Sequence, residues 1–173
     1  AYGLLLAAIR DSDPVVFLEP TRLYRLFKEE VTDNGEALPL DACFTLREGT
    51  DLTLVSWGAM VYETLQAADE LAEQGIAAEV IDVATLKPID FDTILASVAR
   101  TGRCVVVTEA PRHCSIASEI AATLAEYGLL TLLAPVVRVT APDVVVPLPR
   151  LEPFYLPGKK QILAAVKKVL EFS

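Results

Sequence analysis

The chain has 173 residues, of which 53% are hydrophobic and 23% charged, with a net charge of −9 at pH 7. That length and apolar content allow a buried core without disulfides or metal, which excludes a disordered or fibrous protein. The acidic charge argues against nucleic-acid or anionic-membrane partners, and no apolar run reaches the roughly 18 residues of a membrane span.

The chain begins at Ala1 without an initiator Met and without a signal-peptide pattern. These features predict a piece of a longer protein. Its three cysteines, Cys43, Cys104 and Cys114, form no CxxC pair and no zinc-binding spacing. An odd number of cysteines without a secretory signal predicts reduced thiols and a cytoplasmic location.

The first 42 residues carry one helical pattern, one short apolar run and a longer irregular stretch. Residues 1–10 carry an apolar stripe that predicts a short helix, which the Asp-Ser-Asp-Pro stretch at 11–14 ends. Val15–Leu18 is a short apolar run that predicts a buried strand. Residues 19–42 are rich in proline and charge and predict an irregular connection at a domain boundary.

From about residue 44, short β-type runs alternate with helical periodicity. The predicted strands are Leu52–Ser56, Glu79–Val83, Cys104–Val107 and Val136–Val139. The predicted helices are Tyr62–Gln74, Asp90–Ala99, Ser115–Tyr127 and Lys159–Phe172. This alternation predicts an α/β fold with a mostly parallel sheet and helices on both faces.

The richest group of reactive side chains lies in Glu109–Ser115, after a predicted strand, where open α/β sheets bind ligands. One hypothesis is a Cys114 nucleophile activated by His113, the only histidine, at a helix N-terminus. The favoured alternative is a structural or interface loop, because adjacent turn residues seldom point at each other. In that case Ser115 is the helix N-cap, and Glu109 anchors the loop by hydrogen bonds rather than acting as a catalytic acid or base.

Catalytic motifs are missing from the other strand ends. No dinucleotide fingerprint, phosphate-binding loop, metal-binding helix or nucleophile elbow follows a predicted strand. The turn Trp57–Met60 has one glycine where a dinucleotide-binding turn needs three. The sequence therefore predicts a domain without its own active site, with no catalytic and no cofactor-binding residue.

A possible cation site lies at the end of the first predicted helix. Asp11 and Asp13 flank the carbonyls of its last turn, which lack intrahelical partners and carry the negative end of the helix dipole. Such oxygens suit a hard cation. From the residues alone, the favoured alternative is a solvated turn that needs no ion.

A set of stretches, in this order and spacing, resembles a known family. They are Gly3–Asp11, Pro14–Pro20, Leu23–Arg25, Arg47–Gly58, Val80–Asp82, Thr85–Pro88, Glu109–Pro111 and Glu152–Pro157. They resemble the β subunits of thiamine-diphosphate-dependent 2-oxoacid dehydrogenases, the first component of the pyruvate and branched-chain complexes.

This resemblance implies two domains, with residues 1–40 as the tail of a pyrimidine-binding domain plus linker and residues 41–173 as a transketolase C-terminal-type domain. In the family, the cofactor-activating Glu and the active-site His precede the position of Ala1. The α subunit holds the diphosphate and Mg²⁺. The implied assembly is a heterotetramer with the α subunit and a second β subunit, in the cytoplasm or, in a eukaryote, the mitochondrial matrix. The isolated chain is expected to be inactive.

The resemblance also implies two binding sites. Some family members hold a structural K⁺ at positions that match Ala8, Asp11 and Asp13. The C-terminal end of the β subunit often contacts the subunit-binding domain of the acyltransferase core, and Phe172 and Ser173 occupy those positions.

One departure from the family concerns the helix after the Glu-Ala-Pro loop, which the family opens with two glycines. Here that stretch is Cys114-Ser115-Ile116-Ala117.

The expected function is to support oxidative decarboxylation of a 2-oxo acid with acyl transfer to a lipoyl arm, through assembly and core docking. The alternatives are a stand-alone interaction or regulatory module, and another transketolase-like enzyme such as an acetoin dehydrogenase.

Overall fold

The computed structural model describes residues 1–172. The helices are α1 (Tyr2–Arg10), α2 (Met60–Glu73), α3 (Phe91–Thr101), α4 (Ile116–Tyr127), α5 (Glu152–Tyr155) and α6 (Lys159–Leu170). The strands are β1 (Phe44–Arg47), β2 (Leu52–Ser56), β3 (Ala78–Asp82), β4 (Cys104–Pro111) and β5 (Val137–Ala141). Short 3₁₀ turns cover Thr21–Leu23 and Leu129–Thr131.

The strands in the described residues form one five-stranded sheet in the order β1-β3-β2-β4-β5. Strand β2 pairs in parallel with β3 and β4, and β4 pairs in parallel with β5. Strand β1 runs antiparallel to β3 at the sheet edge. The predicted mostly parallel α/β sheet is therefore confirmed. Strand β1 was not predicted, because its mixed Phe-Thr-Leu-Arg sequence has no apolar run.

The core lies on both faces of the central strand β2, whose residues are all buried. Leu52 and Leu54 pack with residues of α2 and α6 on one face. Val55 packs with residues of α3 and α4 on the other, because successive side chains of a strand point to opposite faces. Each such fully buried aliphatic side chain contributes roughly 2 kcal/mol. The predicted placement of helices on both faces is confirmed.

Buried polar contacts fix α3 against the sheet. Thr53 Oγ1 lies 2.7 Å from Ser97 Oγ and 2.8 Å from Thr101 Oγ1. The carboxylate of Glu79 is only 1% exposed and accepts a 2.5 Å hydrogen bond from Arg100 Nη2. A buried carboxylate is costly unless it is paired, so this contact sets the position of α3 over β3.

Residues 1–43, which precede the sheet, match the elements predicted from the sequence only in part. The helix predicted at residues 1–10 is confirmed as α1. The strand predicted at Val15–Leu18 is wrong, because this run is extended without a pairing strand and Val16 and Leu18 are exposed. The apolar pattern indicated burial, but no described element covers it. The boundary between residues 1–40 and 41–173 stays a prediction.

The irregular segment contacts the carboxyl end of the sheet. Arg22 Nη2 lies 3.3 Å from Glu63 Oε1 in the first turn of α2, and Arg22 Nη1 lies 3.9 Å from Glu109 Oε2 late in β4. The rings of Phe27 and Tyr62 stack with centroids 6.3 Å apart. The chain thus places its own residues over part of the edge where α/β proteins usually bind ligands.

Several helices begin or end at residue types that favour helix ends. Asp90 caps α3, its carboxylate accepting a hydrogen bond from the backbone N–H of Thr93 at 3.0 Å. Gly102 ends α3 with a φ of +70°, and Gly75 follows α2 with a φ of +78°. Helix α5 was not predicted, because a single turn carries no helical periodicity. No described helix has both the length and the apolar character needed to cross a membrane.

We expect Gly102→Ala to destabilise the protein more than Gly75→Ala. Both substitutions place a Cβ in the left-handed region, which costs about 1–2 kcal/mol. At Gly102 the new Cβ also lies 2.6 Å from Leu133 Cγ, whereas at Gly75 nothing lies within 4 Å. This overpacking adds about 1 kcal/mol, measurable as the free energy of unfolding in urea. Equal losses in the two variants would contradict the Leu133 contact.

Candidate functional site

The loop after β4 is held by a carboxylate that sequence analysis missed. His113 Nδ1 lies 2.6 Å from Asp143 Oδ2, and the backbone N–H of His113 donates to Asp143 Oδ1 at 3.0 Å. Asp143 follows β5 and comes 30 residues after His113, so only the β4–β5 pairing brings the two together. The described residues show no hydrogen bond between His113 and Cys114. This geometry favours the structural interpretation of the loop over a nucleophile pair.

The same contacts shift the titration of Asp143. The hydrogen bond from the His113 backbone N–H is the largest cause, and it lowers the pKa of the Asp143 carboxyl. The ring of His113 lowers this pKa further, because it stabilises the ionised carboxylate. The ring itself is 80% exposed, so the pair is a surface latch between two loops.

Cys114 adopts a backbone conformation that suits glycine. Its φ is +54°, in the left-handed region that L residues occupy at a cost of about 1 kcal/mol. The family resemblance implies glycine in this stretch, so Cys114 keeps the turn and bears the strain. Ser115 occupies the N-cap position of α4 as predicted, but its hydroxyl makes no capping bond and is buried without a described partner.

The three cysteines are free thiols. Burial raises the pKa of both the Cys43 and the Cys104 thiols to about 12, so neither forms a reactive thiolate near neutral pH. Asp82, at the carboxyl end of β3, also has its pKa raised by burial, and its Oδ1 accepts the N–H of Ala84 at 2.9 Å. These groups support the backbone rather than forming a reactive cluster.

An open groove of about 770 Å³ runs beside α4 and is the main candidate site. Its lining is mostly apolar, and the residues include Ala121, Ala122 and Ala125 of α4 with Leu129, Leu132, Leu133, Pro135 and Val136 of the following segment. His113, Cys114, Ser118 and Arg138 line it near the start of α4. Phe172, which is 52% exposed, also lines the groove.

Arg138 forms the polar part of this groove. Its Nη1 donates to the carbonyl of Arg112 at 3.0 Å and to Ser118 Oγ at 2.6 Å. In residues 1–172, no carboxylate lies within ion-pair distance of its guanidinium. The groove thus combines an apolar wall with the guanidinium of Arg138, which two uncharged oxygen atoms hold in place.

The predicted partner residues fall partly on this groove. Phe172 lines it, and Ser173 lies outside the described residues. Their contact with a partner stays a prediction.

The predicted cation ligands lie in a surface turn. The backbone N–H of Asp13 donates to Asp11 Oδ1 at 2.8 Å, which is the hydrogen bond expected of a solvated Asp-Ser-Asp-Pro turn. Within residues 1–172 no group of three or more His, Cys, Asp or Glu side chains is arranged to hold a metal. The K⁺ site at Ala8, Asp11 and Asp13 stays a prediction.

Comparison with known proteins identifies the family. Residues 42–162 match the family model described as Transketolase, C-terminal domain. The chain belongs to this family, in agreement with its five-stranded sheet and with the resemblance in the sequence.

Two individual relatives are similar to nearly the whole chain. The chain is 50% identical over 172 residues to the Bacillus subtilis (strain 168) pyruvate dehydrogenase E1 component subunit beta, covering 99% of this chain and 53% of the relative. A Staphylococcus epidermidis subunit with the same description is 47% identical over the same shares of both chains. The chain thus spans about half the length of these curated relatives.

A solved structure matches as well. It is described as "Split gene transketolase, inactive beta4 tetramer", and it aligns with a TM-score of 0.69 and 34% identity. The alignment covers 82% of this chain and 45% of the solved one.

We expect Asp143→Asn to lower the stability of the protein in a pH-dependent way. A carboxyl whose pKa is lowered by folding stabilises the folded state above its ordinary pKa of about 4, and this contribution is lost as pH falls through the lowered value. The melting-temperature difference between the variant and the unchanged protein should therefore shrink as pH falls below about 4 and through the lowered pKa of Asp143. Asp41→Asn, at an exposed position, is the control. A pH-independent difference would contradict the latch.

Proposed function

We propose that this chain is part of the β subunit of a 2-oxoacid dehydrogenase component, the pyruvate-specific one. The observation that carries this proposal is 50% identity over 99% of the chain to a pyruvate dehydrogenase E1 component subunit beta. The complete enzyme would decarboxylate its 2-oxo acid oxidatively and transfer the acyl group to a lipoyl arm. The part described here would serve assembly and docking to the acyltransferase core.

Thiamine diphosphate and Mg²⁺ do not fit the part of the chain that the structure describes. The described residues hold no glycine-rich phosphate loop and no cluster of metal-ligating side chains. The carboxyl end of the sheet is engaged by Arg22, which pairs there with Glu63 and Glu109. We therefore assign no step of the thiamine chemistry to this chain and place both cofactors elsewhere in the complete enzyme.

Exposed apolar residues support the proposed partners, an α subunit and a second β subunit. Val145 and Phe154, on the segment between β5 and α6, are both exposed, as are Val144, Val146, Leu148 and Leu151. Such a concentration of exposed apolar residues is unusual for a monomer. The β4 tetramer of the split-gene transketolase supports contact between β-type chains.

We also propose a cytoplasmic or mitochondrial-matrix location and a structural K⁺ near Asp11.

A transketolase-type activity is the second candidate function. It is favoured by the 34% identity to a split-gene transketolase chain, whose solved form is described as inactive. The higher identity to pyruvate dehydrogenase subunits over nearly the whole chain ranks it second.

Reconstitution tests the proposed function. We expect the complete protein, combined with its α subunit, to decarboxylate pyruvate when thiamine diphosphate and Mg²⁺ are present. We expect calorimetric titration of the 173-residue chain alone to show no binding of this cofactor, because residues 1–172 contain no glycine-rich phosphate loop and no cluster of metal-ligating side chains. Sugar-ketol transfer by the reconstituted enzyme in place of pyruvate decarboxylation would favour the second candidate. Micromolar binding by the chain alone would contradict the absence of a cofactor site.

The docking role predicts an effect of Phe172→Ala. We expect this variant of the complete protein to bind the subunit-binding domain of its acyltransferase about tenfold more weakly, because truncation removes an aromatic side chain from the groove. Leu130→Ala is the matched control, since Leu130 is 99% exposed and does not line the groove. Surface plasmon resonance measures both affinities. If the Phe172→Ala protein binds as tightly as the control, the proposed docking role is contradicted.

A further inference from the structure

Residues 20–27, which we call the strap, contact the carboxyl end of the sheet through Arg22. Within residues 1–172, Arg22 makes every hydrogen bond and ion pair that links residues 1–40 to residues 44–172. Its Nη2 lies 3.3 Å from Glu63 Oε1, and its Nη1 lies 3.9 Å from Glu109 Oε2. The polar attachment of the first forty residues is therefore concentrated in one side chain.

The two carboxylates that meet Arg22 belong to different elements. Glu63 lies in the first turn of α2, and Glu109 lies late in β4. The second oxygen of Glu63, Oε2, accepts the backbone N–H of Lys159 at the start of α6 at 3.3 Å. The side chains of Arg22 and Glu63 are only 31% and 23% exposed, so solvent screens their attraction less than that of a fully exposed pair. Arg22 thus connects the strap to α2, to β4 and, through Glu63, to α6.

Apolar contacts hold the strap at one further point. The ring of Phe27 stacks on that of Tyr62, which precedes Glu63 in α2, but Phe27 is still 48% exposed. Tyr24 and Leu26 are exposed as well. A segment with so few buried apolar contacts opens at a low cost in free energy, so the ion pairs of Arg22 decide how long it stays in place.

We propose that Arg22 is a displaceable ionic clamp, which holds the strap over the carboxyl end of the sheet and releases it while the α/β domain stays folded. The strap is then a lid on the edge where parallel sheets bind ligands. Its attachment depends on the charges of Glu63 and Glu109, so neutralising or screening those charges frees it. This inference concerns contacts within the chain and stands apart from the proposed function.

Substitutions that remove one side of the clamp at a time test it. Arg22→Gln removes the cation, and Arg22→Lys keeps the charge without the planar guanidinium. Glu63→Gln combined with Glu109→Gln removes both anions, and an amide oxygen at position 63 still accepts the N–H of Lys159. Arg25→Gln is the matched control, because Arg25 is exposed in the same strap and forms no ion pair within residues 1–172.

Hydrogen exchange of the complete protein, followed by mass spectrometry, measures release of the strap. The N–H of Tyr24 donates to the carbonyl of Thr21 at 3.2 Å, and the N–H of Leu26 donates to that of Leu23 at 3.1 Å. Turns this short are unstable by themselves, so both amides lose protection when the strap leaves the domain. We expect them to exchange about fivefold faster in Arg22→Gln, by an intermediate factor in Arg22→Lys, and at the unchanged rate in Arg25→Gln.

Two further comparisons show whether the carboxylates carry the clamp. In the protein with Glu63→Gln and Glu109→Gln, adding Arg22→Gln should not accelerate exchange further, because the ion pairs are already lost. Salt at about 1 M should accelerate exchange of the strap in the unchanged protein and leave the Arg22→Gln protein as it is. Amides of β2 and β4 should keep their rates in every variant.

Three results would overturn the clamp. The first is equal exchange of the strap in Arg22→Gln and Arg25→Gln. The second is an undiminished effect of Arg22→Gln in the protein that lacks both carboxylates. The third is equal acceleration in the strap and in the amides of β2 and β4, which would mean that the strap leaves only when the α/β domain itself unfolds.

Discussion

The whole structure depends on burying strand β2 on both faces. Its side chains alternate between the two helical layers, so Leu54 needs α2 and α6 while Val55 needs α3 and α4. Parallel neighbours on both sides can be joined only by crossover connections, and helices provide them. The polar contacts of Thr53 and Glu79 then fix α3 in one position, because buried hydroxyls and carboxylates must keep their partners.

Because the middle of the sheet is buried in this way, the polar contacts of the candidate site lie in loops at the ends of the strands. Pairing of β4 with β5 brings the loop after β4 against the segment after β5, and the His113–Asp143 latch and the Arg138–Ser118 contact close that junction. Cys114 turns the chain there with a positive φ. The groove along α4 therefore has a polar part whose shape is set by hydrogen bonds across two loops, and an apolar part set by small residues of α4.

Reactive groups of the described residues, such as Cys104 and Asp82, are either buried or tied into backbone contacts. The buried ionisable groups of this domain support the backbone, as Asp82 does toward Ala84, and its buried thiols have pKa values too high for nucleophilic chemistry. Its unusual features are exposed: an apolar segment before α6, an irregular segment tied down by Arg22, and the groove. These exposed features agree with our proposal that the chain is part of a larger subunit, since it aligns with about half the length of a pyruvate dehydrogenase E1 component subunit beta.

The sequence alone determined the element types and the family, because apolar runs such as Cys104–Val107 and the helical periodicity after Tyr62 are local signals. Local patterns failed for Val15–Leu18, whose apolar run found no strand to pair with. Only the tertiary structure placed Asp143 on His113, placed Arg138 on Ser118 and opened the groove. Those features depend on which strands are neighbours and on how two distant loops meet, and no local pattern of residues encodes that register.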